Sequence, residues 1–350
     1  MLQEKEILHS SHWGAFYARP GRDGLQVRPY EDDPNPSPVI GNFTDALNHP
    51  ARIRQPMVRK GWLERGPTRG ADRNGDTFVA VSWERALDLV ARELRRVRDE
   101  FGAGQIFGGS YGWASAGRFH HAQSQIHRFL NTCTDGYVRS VNSYSAGAST
   151  VLLPHVAGPF DDVSRRGVTW RQIEQYTDCV IAFGGMATKN SMVASGGISH
   201  HIEEPSMAAA RRRGCHFINV SPLRTDLPEG ADAEWVPIRP GTDVALMLAL
   251  VHELVAMGRH DRAFLSRYCV GWDRFQDYVL GTADRQPKDP RWAAGITGID
   301  AGTIRALAAR LTQGRVLVTV SHSLQRSEHG EQPVWMGLVL AAALGQIGLP

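Results

Sequence analysis

Four segments of the 350-residue sequence place cations, hydroxyls and amides directly after runs of apolar residues. Lys189 and Asn190 follow "CVIAFGG" (179–185), and Ser221, Pro222 and Arg224 close and follow "HFINVS" (216–221). Arg239, Thr242 and Asp243 follow "AEWVPI" (233–238), while His322, Ser323, Gln325, Arg326, His329 and Gln332 follow "RVLVTVS" (315–321). Taken singly, each has a plain explanation. Lys189 reads as a solvated lysine, Asp243 as a helix cap, Arg326 as half of a surface ion pair, and His322 and His329 as satisfied polar histidines. On one edge of one sheet they suit a nucleotide-bearing cofactor. Cations and helix N-termini hold pyrophosphate, and an aspartate accepts from the N1 and N2 donors of guanine. No GxGxxG follows a first strand and no GxxxxGK[ST] occurs, which disfavours NAD and ATP in their usual folds.

A second chemistry is written in Gly108-Gly-Ser110-Tyr-Gly112, a literal G-x-S-x-G after an apolar strand. That is the form of a hydrolase nucleophile elbow, and Asp243 with His322 or His329 would follow Ser110 in the right order. Against it, the pattern arises by chance in a Gly-rich chain, and Trp113 and Gly117 crowd the helix an elbow requires. The stretch "SYGWASAGRFHH" (110–121) sets two rings, Tyr111 and Trp113, among residues with almost no side chain. A turn needs no such rings and a core strand would not hold so much glycine, so the alternatives are a ligand pocket and two rings packed in a core.

The elements that must position these residues are legible in part. Near-continuously apolar strands at 179–185, 216–221, 233–238 and 315–321 are those of a sheet buried on both faces. Helices are predicted from near Asp243 to Gly258 and from near Asp300 to near Gly314. Ser82 can cap a helix whose Leu87, Val90, Leu94 and Val97 share a face. The predicted class is α/β: a parallel sheet with flanking helices, preceded by a small β-rich region rich in turn residues. In such sheets ligands lie beyond the carboxyl ends of the strands. The expected division is a β-rich region over 1–55, the first part of an α/β domain over 56–155, and an α/β cofactor-binding domain over 156–350.

Composition excludes several classes. A net charge of +3 and 21% charged residues do not suggest a nucleic-acid binder. The run Arg211–Arg213 reads as a solvated helix end. Four cysteines lie far apart, which argues against zinc, an iron–sulfur cluster or a disulfide framework and for reduced thiols. No export signal is read at the N-terminus and the longest apolar stretch, 334–344, is too short to span a bilayer, so a cytoplasmic protein with a buried helix there is expected.

Beyond these readings, the segments "FGGSYGWASAGRFHH", "VRSVNSYSAGAST", "LLPHVAG", "ATKN", "INVSPLRTD", "RPGTDVALMLALVHEL", "YCVGWDRFQDYVLG" and "LQRSEHGEQPVWMGLVLAAALGQIGLP" occur in order. Together they resemble the dimethyl sulfoxide reductase family of molybdopterin enzymes from about His12 onward. "SHWGAFYARP" and "NHPARIRQPMVRKGWL" look most like its biotin sulfoxide reductase branch. The resemblance implies molybdenum held between two molybdopterin guanine dinucleotides, no iron–sulfur cluster, and reduction of S-oxides or N-oxides. It also implies an electron donor, either a nicotinamide cofactor or a small redox protein. It implies that Ser145 supplies the alkoxide ligand to the metal, with Ser143 as fallback, in place of the plain reading of Ser145 as a helix N-cap. A hard oxygen suits a metal in a high oxidation state. Tyr111 would donate to the substrate oxygen and Trp113 would wall the funnel. Lys189, Asn190, Ser221, Pro222, Arg239, Thr242 and Asp243 match positions around one dinucleotide. His322, Ser323, Gln325, Arg326 and Gln332 match a segment near the pterins. His322 stands where the family often has an aromatic or small residue, and Gly241 where it often has glutamine, a loss of about 1 kcal/mol of hydrogen bonding. Family members are about twice as long, so the rest of the second α/β domain and a barrel are expected to be missing here, leaving a fragment or a partner-dependent half as the competing reading.

Overall fold

The computed structural model describes residues 5–22, 24–67, 75–110, 121–141, 143–164, 166–194 and 197–350; Tyr111 and Trp113 lie outside them. The chain divides into two compact units, Met1–Val141 with Val193–His200, and Asn142–Met192 with His201–Pro350.

The first unit opens with an antiparallel sheet of β1 (Ile7–Ser11), β2 (Gly14–Gly21) and β3 (Gly24–Pro29), in that order. Alternation along β2 turns Phe16 and Ala18 inward, where they pack with Ile40. The Phe43 ring stacks on Phe16 at 5.0 Å. A short antiparallel pair follows, β4 (Met57–Arg59) with β5 (Phe78–Ala80). Helix α1 (Trp83–Phe101) starts where expected: the Ser82 hydroxyl accepts from the Arg85 amide at 3.2 Å, and Gly102 at φ +85° stops it. Of its predicted apolar face, Leu87 and Val90 are exposed and Leu94 and Val97 half-buried, whereas Leu89, outside that set, is the helix's buried residue. The apolar strand expected before Ser110 does not form. Phe107 makes an isolated parallel bridge to Val138, and the next described helix, α2, spans Ala122–Cys133.

In the second unit, α3 (Gly147–Val156) precedes a parallel sheet of β6 (Cys179–Phe183), β7 (His216–Val220), β8 (Glu234–Val236) and β9 (Val316–Val320), ordered β8-β7-β6-β9. All four strands arise where the sequence predicts them. The edge strand β8 is cut to three residues by Pro237, which has no N–H for the ladder. Central strand β6 is buried throughout. Cys179, Ile181 and Phe183 face one core, Val180 and Ala182 the other. Helix α4 (Glu203–Arg213) covers the second face with Met207 and Ala210. The first face carries α5 (Asp243–Ala256), α6 (Pro290–Thr297), α7 (Ala301–Arg310) and α8 (Glu331–Ala343). Helix α5 is apolar nearly all round because it is enclosed. The arginine run at the end of α4 is more than a solvated terminus: Arg213 donates to the carbonyl oxygens of Glu174 and Thr177. Among the described residues no helix is long and apolar enough to cross a membrane.

Leu250 on α5 is fully buried in the larger core, whereas Val270 is fully exposed. Leu250→Ala is expected to lower stability by about 2–5 kcal/mol in urea unfolding, and Val270→Ala by less than about 0.5 kcal/mol.

Candidate functional site

The strand order dictates where a site can form. From β6 the chain moves to β7 and β8 on one side and returns to place β9 on the other, so the crevice at the carboxyl ends of β6 and β9 is a switch point. The chain leaves β6 through Gly184 (φ +76°) and Gly185 (φ +72°). A Cβ on Gly184 would lie 2.9 Å from the Ser321 Cβ, and one on Gly185 2.4 Å from the Asp226 Cβ. The exits of three strands are therefore wedged together with room for backbone only.

Around this wedge the residues singled out in the sequence divide by whether their polar groups are already engaged. Lys189 and Asn190 stand exposed on a single 3-10 turn, their side chains without partners among the described residues. Ser221 is buried and engaged: its hydroxyl donates to Asp226 Oδ2 and accepts from the Leu223 amide at 3.2 Å, folding the turn that carries exposed Pro222. Arg239 is also engaged, donating to the carbonyls of Gly295 and Ile296 at 3.0 and 3.1 Å in the last turn of α6. Thr242 donates to the Arg239 carbonyl at 2.6 Å. Asp243 opens α5 and is 4% exposed. Burial pushes its carboxyl up to about 6, and its own backbone N–H is the one donor it meets among the described residues. At the exit of β9, the Ser323 hydroxyl donates to that of Ser321 at 3.0 Å, and the His322 ring lies 5.9 Å from Phe160. Partial burial, then the charge of Arg326, hold the His322 pKa below its usual value, favouring the neutral imidazole.

Ser145 does not cap α3, as its plainest reading required. The N-cap is Ala146, which offers no side-chain acceptor. The helix amides at Ala148 and Ser149 instead donate to Gln325 Oε1 at 2.9 and 3.3 Å. Gln325 Nε2 donates to the Ser145 carbonyl at 2.8 Å, and Arg326 Nε donates to the same oxygen at 3.1 Å. The Ser145 amide donates to Ser143 Oγ at 3.1 Å. The Ser145 side chain is exposed, and its hydroxyl has no partner among the described residues. The fold thus joins the Ser145 turn to the exit of β9. Gln325 matters more than its place in a family segment suggested, because its partners lie about 180 residues earlier. Tyr111 and Trp113 fall outside the described residues. For the hydrolase reading, Ser110 belongs to the first unit, Asp243, His322 and His329 belong to the second, and no hydrogen bond joins Asp243 to either histidine.

Residues 52–350 match the model of the molybdopterin oxidoreductase family, and residues 9–47 match the molybdopterin oxidoreductase N-terminal domain. The chain belongs to the molybdopterin oxidoreductase family. A biotin sulfoxide reductase of Cereibacter sphaeroides is 44% identical over 329 residues, covering 93% of this chain and 44% of that protein. A dimethyl sulfoxide/trimethylamine N-oxide reductase of Rhodobacter capsulatus is 39% identical over 355 residues, covering 100% of this chain and 42% of that protein. Acetylene hydratase from Pelobacter acetylenicus superposes with a TM-score of 0.61 at 20% identity, covering 99% of this chain and 44% of that one, and shares the fold. The resemblance to dimethyl sulfoxide reductases and the expected α/β class both hold. This chain spans less than half the length of these molybdopterin oxidoreductases.

The donor set fits the family's cofactor. Among the described residues no three His, Cys, Asp or Glu side chains gather as a metal-holding group. A free hydroxyl on a fixed turn, a glycine wedge and an unengaged lysine are compatible with a molybdenum-bearing pterin.

The Asp243 pKa gives a testable signature. Its folded value of about 6 lies above the ordinary carboxyl range, so the ionised form destabilises the fold. The cost is absent below about pH 4, grows as pH rises, and is complete above about pH 6. Asp243→Asn is expected to raise stability by on the order of 1–3 kcal/mol at pH 7 and to flatten the decline between those pH values in urea titrations of the cofactor-free chain.

Proposed function

We propose that this chain is the cofactor-holding part of a molybdenum-dependent oxygen-atom transferase that reduces S-oxides or N-oxides, of the class that includes biotin, methionine and dimethyl sulfoxides and trimethylamine N-oxide. The observation that carries the reading is the exposed Ser145 hydroxyl on a turn whose backbone is tied at both ends, in a chain 44% identical to a biotin sulfoxide reductase. In the overall reaction an oxide oxygen leaves as water after uptake of two electrons and two protons. The molybdenum centre, when bound, supplies the two-electron oxygen-accepting chemistry.

The chain's own residues bind and orient. Ser145, deprotonated, would be the protein's ligand to the metal. The cofactor would be the bis(molybdopterin guanine dinucleotide) form, without an iron–sulfur cluster. Lys189, Asn190, Arg326 and the His322–Ser323 segment would meet phosphate and pterin. The Asp243 carboxylate would accept from the guanine edge, which supplies the donors its buried position lacks. Ser221, Pro222, Arg239 and Thr242 would act through the shape of the turns they hold. Tyr111 would donate its hydroxyl to the substrate oxygen, and Trp113 would exclude water. Electrons would come from a nicotinamide cofactor or a small redox protein, in the cytoplasm.

A partner-dependent reading is favoured by one surface. Tyr268, Val270, Trp335, Ile347 and Leu349 are exposed along a groove of about 980 Å³ in the second unit. An apolar surface of this kind marks a place for further polypeptide. The counterpart of the relatives' remaining length would supply the rest of the cofactor site.

Elemental analysis of the purified protein, with a panel of sulfoxides and N-oxides reduced by a viologen, tests the function. Bound molybdenum is expected, with turnover lost in Ser145→Ala and lowered ~10–100-fold with altered substrate preference in Tyr111→Phe. Wild-type turnover by Ser145→Ala refutes the ligand assignment. Absence of metal and turnover even with the complementary polypeptide refutes the function.

A further inference from the structure

We propose that Gln325 is the positioning residue that presets the Ser145 turn and so fixes the direction in which the Ser145 hydroxyl is offered. The proposal rests on the reading of Ser145 as a metal ligand. Local contacts fix only part of this turn, through the Ser143 hydroxyl that accepts from the Ser145 amide. Helix α3 begins at Ala146 without a side-chain cap, so its first amides need an acceptor from elsewhere. Gln325 supplies it from a position 4% exposed, its Oε1 accepting from Ala148 and Ser149 at 2.9 and 3.3 Å. The other end of the same amide donates to the carbonyl of Ser145 at 2.8 Å and of Tyr144 at 3.5 Å. With the Ser145 amide held by Ser143, both backbone groups of Ser145 are tied and the hydroxyl alone is left for a ligand.

The amide is the chemistry this geometry demands. A carboxylate could accept from the α3 amides equally well, but it has no hydrogen to give the Ser145 carbonyl. A hydroxyl side chain could not reach both sets of partners. If Gln325 served only as a helix cap, glutamate would still accept from the α3 amides and leave the Ser145 turn as it is. A fixed turn also avoids ordering Ser145 at the moment of coordination, the usual gain from preorganisation. The clamp further makes the Ser145 turn and the His322–Arg326 segment one mechanical piece, since Arg326 reaches the same carbonyl at 3.1 Å.

Two measurements test this. In the cofactor-free chain, hydrogen exchange of the Ala148 and Ser149 amides is expected to speed up roughly tenfold or more in Gln325→Leu. Gln325→Glu should keep Ala148 and Ser149 protected while leaving the Ser145 carbonyl to Arg326 alone. In protein loaded with molybdenum cofactor, the paramagnetic resonance spectrum of Mo(V) is expected to shift and broaden in both variants. A wild-type spectrum in Gln325→Glu reduces Gln325 to a helix cap and overturns the proposal, as does unchanged exchange in Gln325→Leu. If Gln325→Leu does not fold, the isosteric Gln325→Glu decides alone. A wild-type Mo(V) spectrum in Ser145→Ala sinks the ligand reading instead, and the exchange data still report whether the clamp exists.

Discussion

The second unit is organised by the burial of β6 on both faces. A strand enclosed in this way has no side on which to carry polar groups, and Cys179–Phe183 carries none. Chemistry is displaced to the point where the chain leaves the sheet. There Gly184 and Gly185 let three strand exits meet at backbone distance, and the polar residues of four segments gather along one edge. The same burial requires helices over both faces; on the larger core side α5 is mostly buried and its first residue, Asp243, is desolvated with it. The raised pKa of that carboxyl is thus a by-product of core formation.

Much of this was legible in the sequence because it is local. Strands buried on both faces announce themselves as continuous apolar runs, and the Ser82 cap and Gly102 stop of α1 follow rules spanning a few residues. The apolar run before Ser110 misled for the same local reason. An apolar pair is equally compatible with a strand and with the isolated bridge that Phe107 makes to Val138. Nor could local rules say that the apolar face of α1, with Leu87 and Val90, is left open within its own unit.

The candidate site was legible as a set of residue types but not as a set of roles. Lys189 and Arg239 look alike after an apolar run, yet one guanidinium is occupied by the carbonyls that end α6 while the ammonium has no partner among the described residues. Ser221 and Ser145 are both hydroxyls near strand or helix ends. Ser221 is engaged in its turn, and Ser145 is exposed with its hydroxyl unengaged. Which polar group is engaged depends on long-range partners that no periodicity encodes. The family resemblance supplied Ser145, and the structure supplied the reason its turn holds.

The span of the Gln325 clamp also bears on the order of events in biosynthesis. Ser145 leaves the ribosome 180 residues ahead of the side chain that secures it. Until β9 has been made and docked, the nascent turn has no buried amide to close upon. The hydroxyl therefore takes up its final bearing only on a finished sheet, once the two distant stretches of chain have met.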